Sequence, residues 1–238
     1  MTSLNELRFF TTPAHDCSYL EGQQAITLFA DPLAKVNTEL YSALSSVGFR
    51  RSGSHIYRPY CQTCNACIPV RIPVRKFDMK RRFKRVLQRN ADVTLRRVTP
   101  SLTDEYFNLY ESYINARHAD GDMYPASYDQ FRSFLVEGRP EASFFEFRTS
   151  EELLAVAVID ELNDGLSAIY SFFDPNRESR APGVLAILLM IRETEQLKLD
   201  YLYLGYWIKQ CNKMNYKLDY RPIELYVDNK WILAESPG

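Results

Sequence analysis

The chain of 238 residues lacks any apolar run long enough to span a bilayer. Its first residues also lack the basic stretch followed by an apolar stretch that marks a secretory signal peptide. Internal repeats and low-complexity segments are missing too. Hydrophobic residues make up 46% of the chain and charged residues 25%, which is typical of a folded globular protein. We therefore expect a cytoplasmic protein with no membrane partner.

The cysteine count excludes a simple disulfide framework, because five is odd and the expected compartment is reducing. Three of the five, Cys61, Cys64 and Cys67, lie within seven residues. With Cys17 as a fourth ligand, or His15 or His55 in its place, this spacing predicts a structural zinc site or an iron–sulfur cluster. The alternative is that these thiols are small buried side chains without a metal.

Acidic residues are almost missing from positions 71–97, which hold eleven Lys or Arg and only two Asp. The rest of the chain holds 18 basic and 28 acidic residues, so the small net charge hides a strongly cationic segment. Such a segment favours binding to nucleic-acid phosphates. A solvated helix face is the alternative, although solvated helices normally mix both signs of charge. The predicted nucleic-acid-binding residues are Lys80, Arg81, Arg82, Arg85 and Arg89.

The pattern of predicted elements indicates an α+β protein with two parts, residues 1–98 and 99–238. In the second part, two helices precede three antiparallel strands, a helix and another strand. That order is typical of the acyl-CoA N-acyltransferase (GNAT) fold. In the first part, prolines at 69 and 73 predict an edge or irregular strand over 67–74. Ser101 is expected to open a capping box.

The loop before the last long helix carries Arg180 and Gly183, which in GNAT folds present backbone N–H groups to a pyrophosphate. Pro182 removes one such donor, so the sequence disfavours a coenzyme A site. Asp160 lies near the end of a predicted strand and is a candidate proton acceptor. His118 ends a helix and is equally a candidate cap-region cation.

Several long motifs in this chain resemble those of the bacterial aminoacyl-tRNA–protein transferases, which are related to the eukaryotic arginyltransferases. The resemblance covers roughly residues 8–225. It rests on the runs at 15–20, 57–71, 117–123, 160–170, 173–175 and 203–208.

The resemblance implies a reaction in which leucine moves from leucyl-tRNA to the N-terminal amine of a protein that begins with Asp or Glu. The new N-terminus then marks that protein for degradation as an N-degron. The implied fold is a GNAT-like domain with a cysteine-containing, GNAT-like N-terminal half. Transfer itself requires no cofactor, and the family's N-terminal cysteines bind a metal or sense redox state.

A reaction of this kind needs a neutral amine, a polarised ester carbonyl and a cationic pocket for an acidic side chain. We expect Arg71, Arg75 and Arg117 to supply the pocket, with Trp207 at the cleft wall. The predicted catalytic residues are Asp160, Tyr170 and Tyr206.

Three alternatives remain open at this point. One is an arginyl-tRNA–protein transferase of the same fold, and another is a coenzyme A acetyltransferase. The third is a noncatalytic, zinc-stabilised tRNA-binding module.

Overall fold

The computed structural model describes residues 6–121 and 123–234. Asp122, which belongs to the run at 117–123, lies outside the described residues. The strands are β1 (Phe9–Thr11), β2 (His15–Asp16), β3 (Gln24–Ala25), β4 (Thr27–Ala30), β5 (Arg50–Ser52), β6 (His55–Pro59), β7 (Ile68–Pro73), β8 (Thr94–Val98), β9 (Ala142–Arg148), β10 (Leu153–Glu161), β11 (Gly165–Phe173), β12 (Tyr201–Trp207), β13 (Ile223–Val227) and β14 (Lys230–Ala234). The α-helices are α1 (Thr38–Ser46), α2 (Arg81–Arg89), α3 (Asp104–Arg117), α4 (Tyr128–Phe131) and α5 (Pro182–Gln196). Within the described ranges, no helix has the length and apolar character needed to cross a membrane.

An eight-stranded sheet organises the molecule, in the order β14-β13-β7-β12-β11-β10-β9-β8. Neighbouring strands are antiparallel except for β11 and β12, which run parallel. A four-stranded sheet, β1-β4-β6-β5, and the β2–β3 hairpin complete the strands. The mixed α+β class predicted from the sequence is therefore confirmed.

Strand β7 lies inside the large sheet and not at its edge, but its pairing is irregular, with a register shift opposite Tyr203 and Gly205. It pairs with β12 over its whole length, but β13 pairs only with Val70 and Arg71. Pro69 and Pro73 therefore lie beyond the stretch that has a neighbour on both sides, where a missing N–H does least harm. The division near residue 98 stays a prediction, although β7 and β8 both belong to this sheet.

Each face of the large sheet is covered by different elements. Helices α2 and α5 bury one face, where side chains such as Phe83, Leu188 and Leu202 share a core. Helices α3 and α4 cover part of the other face, where Tyr110 and Phe131 pack against Phe172 of β11. Helix α1 and the four-stranded sheet cover the rest of that second face. The first hundred residues are thus packed directly against the strands of the second part.

One local prediction needs correction. Helix α3 begins after Thr103, whose hydroxyl accepts from the Tyr106 N–H at 3.3 Å, so the cap is not Ser101. Strands β5 and β6 form a tight hairpin that turns at Gly53, where φ is +57°.

Candidate active site

A gap opens between β11 and β12 in the middle of the large sheet. The two strands pair at only three positions, 165–167 with 201–203, and then separate. At the closed end, a Cβ on Gly165 would lie 2.3 Å from the Tyr201 carbonyl oxygen, so only glycine permits this approach. Beyond the pairing, backbone groups on the facing edges have no strand neighbour across the gap. Such an opening is a natural binding cleft for an extended substrate.

The guanidinium of Arg50 lies in this gap. Arg50 begins strand β5 of the smaller sheet, and it donates to the Ser167 hydroxyl at 2.8 Å and to the Ala168 carbonyl. It lies over Gly205 of β12, where a Cβ would meet its side-chain nitrogens at 3.1–3.2 Å. Arg50 therefore reaches from one sheet into the opening of the other.

A buried lysine lies close to Arg50. Lys217 is 5% exposed, and its ammonium donates to the Tyr206 carbonyl and contacts the Met214 sulfur at 3.0 Å. Burial, and secondarily the positive charge of Arg50, lowers the pKa of Lys217 from 10.5 to about 7. The environment of Lys217 thus disfavours a positive charge.

Aromatic side chains line the region beyond the gap. The rings of Tyr113 and Phe173 are 4.7 Å apart, and the ring of Tyr170 lies 6.4 Å from that of Tyr113. His118 approaches the Tyr113 hydroxyl at 3.3 Å. Burial, together with the nearby Lys213 ammonium, lowers the pKa of His118 below its usual 6.5. At neutral pH this wall is therefore uncharged.

The three arginines predicted to bind an acidic side chain already have carboxylate partners. Arg71 donates to Glu224 at 2.6 Å and stacks on the Tyr201 ring at 3.5 Å, and its side chain is 9% exposed. Arg75 pairs with Asp200 at 3.3 Å, and Arg117 pairs with Glu178 at 2.5 Å. The structure does not bring these three arginines together.

Asp160 is a buried structural residue. Its carboxylate is 0% exposed and accepts two bonds from Arg51, at 2.6 and 2.7 Å, and one from the Tyr41 hydroxyl at 2.6 Å. These partners leave no approach for a substrate amine. These are the contacts of a structural residue, and a part for Asp160 in proton transfer stays a prediction.

The remaining predicted cleft residues lie near the gap as neutral groups. The Tyr206 hydroxyl donates to the Gly48 carbonyl at 2.8 Å, and burial raises the pKa of Tyr206 well above 10.0. Burial also raises the pKa of Tyr170, whose buried hydroxyl has no partner among the described residues. The Trp207 ring nitrogen donates to Asn215 at 3.3 Å. Their part in catalysis stays a prediction.

The predicted tRNA-binding residues lie on or beside α2, which carries no acidic residue in its first turn. Arg81 and Arg85 are exposed, four residues apart, on the side opposite the buried Phe83. Arg82 pairs with Asp219 at 3.3 Å, and Arg89 donates to the Ser179 carbonyl. The helix therefore presents cations at its positively polarised N-terminal end, where an anion is favoured.

The cysteines lie near one another without forming a metal centre. Burial raises the pKa of Cys67 to about 12, and each of the other four thiolates adds to this effect, namely Cys17, Cys61, Cys64 and Cys211. Within residues 6–121 and 123–234, however, no group of three or more His, Cys, Asp or Glu side chains is arranged to hold a metal ion. As placed here, the thiols do not fit the predicted zinc or iron–sulfur ligation.

Comparison with known proteins decides the family. Two family models match, described as the N terminus of arginine-tRNA-protein transferase over residues 15–85 and its C terminus over residues 105–227. The chain belongs to the arginine-tRNA-protein transferase family. Its members catalyse group transfer, so the protein is a transferase.

Curated relatives match over their whole length. An aspartate/glutamate leucyltransferase of Pseudomonas aeruginosa is 56% identical over 232 residues, 98% of this chain and 99% of the relative. One from Alcanivorax borkumensis is 54% identical over 238 residues, 100% of this chain and 98% of the relative. Among solved structures, L-PGS from Bacillus licheniformis is 12% identical with a TM-score of 0.45, covering 86% of this chain and 70% of that one.

Sequence reasoning missed Arg50 and Lys217 in this transferase. Arg50 stands in an Arg-Arg pair before a short hairpin, and Lys217 follows several polar residues. Neither has a motif of its own. One signal was available for Arg50, because strict alternation in a strand places two successive side chains on opposite faces. The side chains of Arg50 and Arg51 were therefore expected on opposite faces of the strand, with different contact partners.

Proposed function

We propose that this protein transfers leucine from leucyl-tRNA to the N-terminal amine of proteins that begin with Asp or Glu. The observation that carries the proposal is the 54–56% identity, over nearly the whole chain, with relatives named aspartate/glutamate leucyltransferase. The product begins with leucine and is thereby marked for proteolysis as an N-degron. The same proposal places the protein in the cytoplasm, where aminoacyl-tRNA is made.

The strand order supports a GNAT-like transferase core as part of this proposal. Strands β9, β10 and β11 form an antiparallel meander, α5 follows, and β12 returns parallel to β11. The parallel pair separates after three positions, which leaves an opening for the acyl donor between the two strands. Here the donor is the leucyl ester of tRNA.

The chemistry is aminolysis of an ester that is already activated. The amine nitrogen attacks the leucyl carbonyl carbon, a C–N bond forms, the ester C–O bond breaks, and the terminal ribose of tRNA recovers its hydroxyl. With an N-terminal pKa of about 7.7–8.0, roughly a tenth of acceptor amines are neutral at pH 7. Holding the amine and the ester together in the gap therefore supplies much of the acceleration.

Helix α2 supports the tRNA part of the proposal. Arg81 and Arg85 are exposed and form no ion pair with the residues that the structure describes. The C-terminal end of α2 is tied to the loop before α5, because Asn90 donates to the Arg180 carbonyl at 2.9 Å. Phosphates bound on α2 would thus lie on an element attached directly to the transferase core.

The deciding experiment supplies the purified protein with radiolabelled leucyl-tRNA or arginyl-tRNA and a peptide that begins with Asp. We expect label from leucyl-tRNA to appear in the peptide. A matched peptide that begins with Asn is the control for the acidic side chain.

Other results identify the alternatives. Incorporation of arginine alone would replace the leucyl proposal with an arginyltransferase. Binding of tRNA without any peptide modification would indicate a tRNA-binding module. Transfer of acetyl groups from acetyl-CoA would indicate an acetyltransferase.

A further inference from the structure

The gap between β11 and β12 holds an arginine whose charge is not neutralised by the protein. We propose that Arg50, with Lys217 beside it, binds the side-chain carboxylate of the acceptor's N-terminal Asp or Glu. This inference rests on the proposed function, since it assigns the acceptor's acidic side chain to a place in the same cleft.

The first step in the argument is charge. Arg50 is half-buried, and its bonds go to a hydroxyl and a backbone carbonyl rather than to a carboxylate. Lys217 likewise contacts a carbonyl and a thioether sulfur. Neither forms an ion pair with any residue in 6–121 or 123–234. A half-buried guanidinium without an acidic partner, beside a buried lysine, is unfavourable, and a bound carboxylate would relieve this.

The second step is elimination among the arginines that are buried or half-buried. Five of them pair with carboxylates at 2.5–3.1 Å, namely Arg51, Arg71, Arg139, Arg148 and Arg180. Arg58 donates to the Val47 carbonyl and lies over the Phe49 ring, and Arg221 donates to the Leu218 and Ala234 carbonyls. Among these arginines, Arg50 is the one whose guanidinium bonds to β11 and lies over Gly205 of β12.

The third step is geometry. The bonds to Ser167 and Ala168 hold the Arg50 guanidinium in place, so little side-chain entropy is lost when an anion binds. A planar guanidinium can donate two parallel hydrogen bonds to a carboxylate. An acceptor side chain would approach the guanidinium from the part of the gap beyond Ser167 and Tyr203, where β11 and β12 no longer pair.

The test measures acceptor binding separately from transfer. Fluorescently labelled decapeptides that begin with Asp, Glu or Asn are titrated against wild-type protein, Arg50→Gln and Arg50→Lys. Anisotropy gives each Kd, and transfer from leucyl-tRNA is measured in parallel. Arg132→Gln is the matched control, because Arg132 is exposed and lies 3.7 Å from Asp129.

We expect wild-type protein to prefer Asp and Glu peptides over Asn. Arg50→Gln should weaken binding of the Asp peptide at least about tenfold, with little change for Asn, because one partner of a charge pair is lost. Arg50→Lys should keep part of the preference. Affinity for leucyl-tRNA should not change, which separates loss of the pocket from loss of the fold.

Lys217→Gln gives a second measurement if Arg50→Gln does not fold, and it should also reduce the Asp-over-Asn preference. If the variant that folds, Arg50→Gln or Lys217→Gln, kept the full preference for Asp over Asn peptides, the proposed carboxylate pocket would be wrong. The proposed leucyl transfer would be unaffected. Selective binding of the Asp peptide without leucine transfer would overturn the reaction and leave the pocket standing. Equal binding of Asp and Asn peptides by wild-type protein would overturn the pocket outright.

Discussion

The carboxylate of Asp160 receives two parallel bonds from the guanidinium of Arg51, at 2.6 and 2.7 Å, and both side chains are 0% exposed. Arg51 belongs to β5 of the smaller sheet and Asp160 to β10 of the larger one. The pair thus ties the two sheets together. Its neighbour along the chain, Arg50, is held by this link in the gap between β11 and β12.

Asp160→Asn should destabilise the protein by about 3–5 kcal/mol, because it leaves the Arg51 charge buried without its partner. Urea unfolding followed by circular dichroism measures the change. The control is Asp129→Asn, which breaks an exposed pair with Arg132 and should cost less than about 1 kcal/mol. If Asp160→Asn kept its stability but lost leucine transfer, Asp160 would be a catalytic residue.

Because Lys217 is buried, the free energy of unfolding should rise with pH. Its pKa is about 7 in the folded protein and near its usual 10.5 in the unfolded chain, so between these values the unfolded chain binds the extra proton. The free energy of unfolding should therefore gain up to about 1.4 kcal/mol per pH unit from this residue. Lys217→Met should remove that contribution, as judged from the difference between variant and wild type at pH 7, 8 and 9. If the free energies of unfolding of variant and wild type changed equally with pH, Lys217 would not be a buried, neutral lysine.

Replacing Arg81 and Arg85 by Gln should weaken tRNA binding and its dependence on salt. Each lost phosphate contact reduces the slope of log K against log salt by about 0.7–0.9, so the pair should reduce it by about one to two. Filter binding at several salt concentrations measures the slope. Gln88→Ala on the same helix is the control, and an unchanged slope in the double variant would place tRNA elsewhere.

Gly165→Ala should disturb the point where β11 and β12 meet. The added Cβ would lie 2.3 Å from the Tyr201 carbonyl oxygen, and a backbone atom cannot move aside as a flexible side chain does. We expect a loss of about 1–3 kcal/mol in urea unfolding. Gly121→Ala is the matched control, since its nearest contact would be an ordinary 3.6 Å. Equal stability of the two variants would contradict the tight approach.

The sequence was sufficient for features that depend on local patterns. The basic helix, the meander of β9 to β11 and the helix after Pro182 could all be read from periodicity and turn residues. The partners of charged side chains could not, because they come from distant parts of the chain. Arg71 meets Glu224, 153 positions away, and Asp160 meets Arg51, 109 positions away. The contacts of Asp160 could therefore not be foreseen, whereas the exposure of Arg81 and Arg85 on one face of a helix follows from their spacing of four.

The position of β7 has a consequence for engineering. This strand comes from the segment matched by the N-terminal family model, yet it lies between β13 and β12, which come from the other segment. A chimera that joins the first segment of one relative to the second segment of another must therefore fit β7 into a foreign sheet. The residues that pair between β12 and β7, such as Tyr203 with Arg71 and Tyr206 with Pro69, would have to come from the same relative. Chimeras that combine these strands from different relatives should be insoluble.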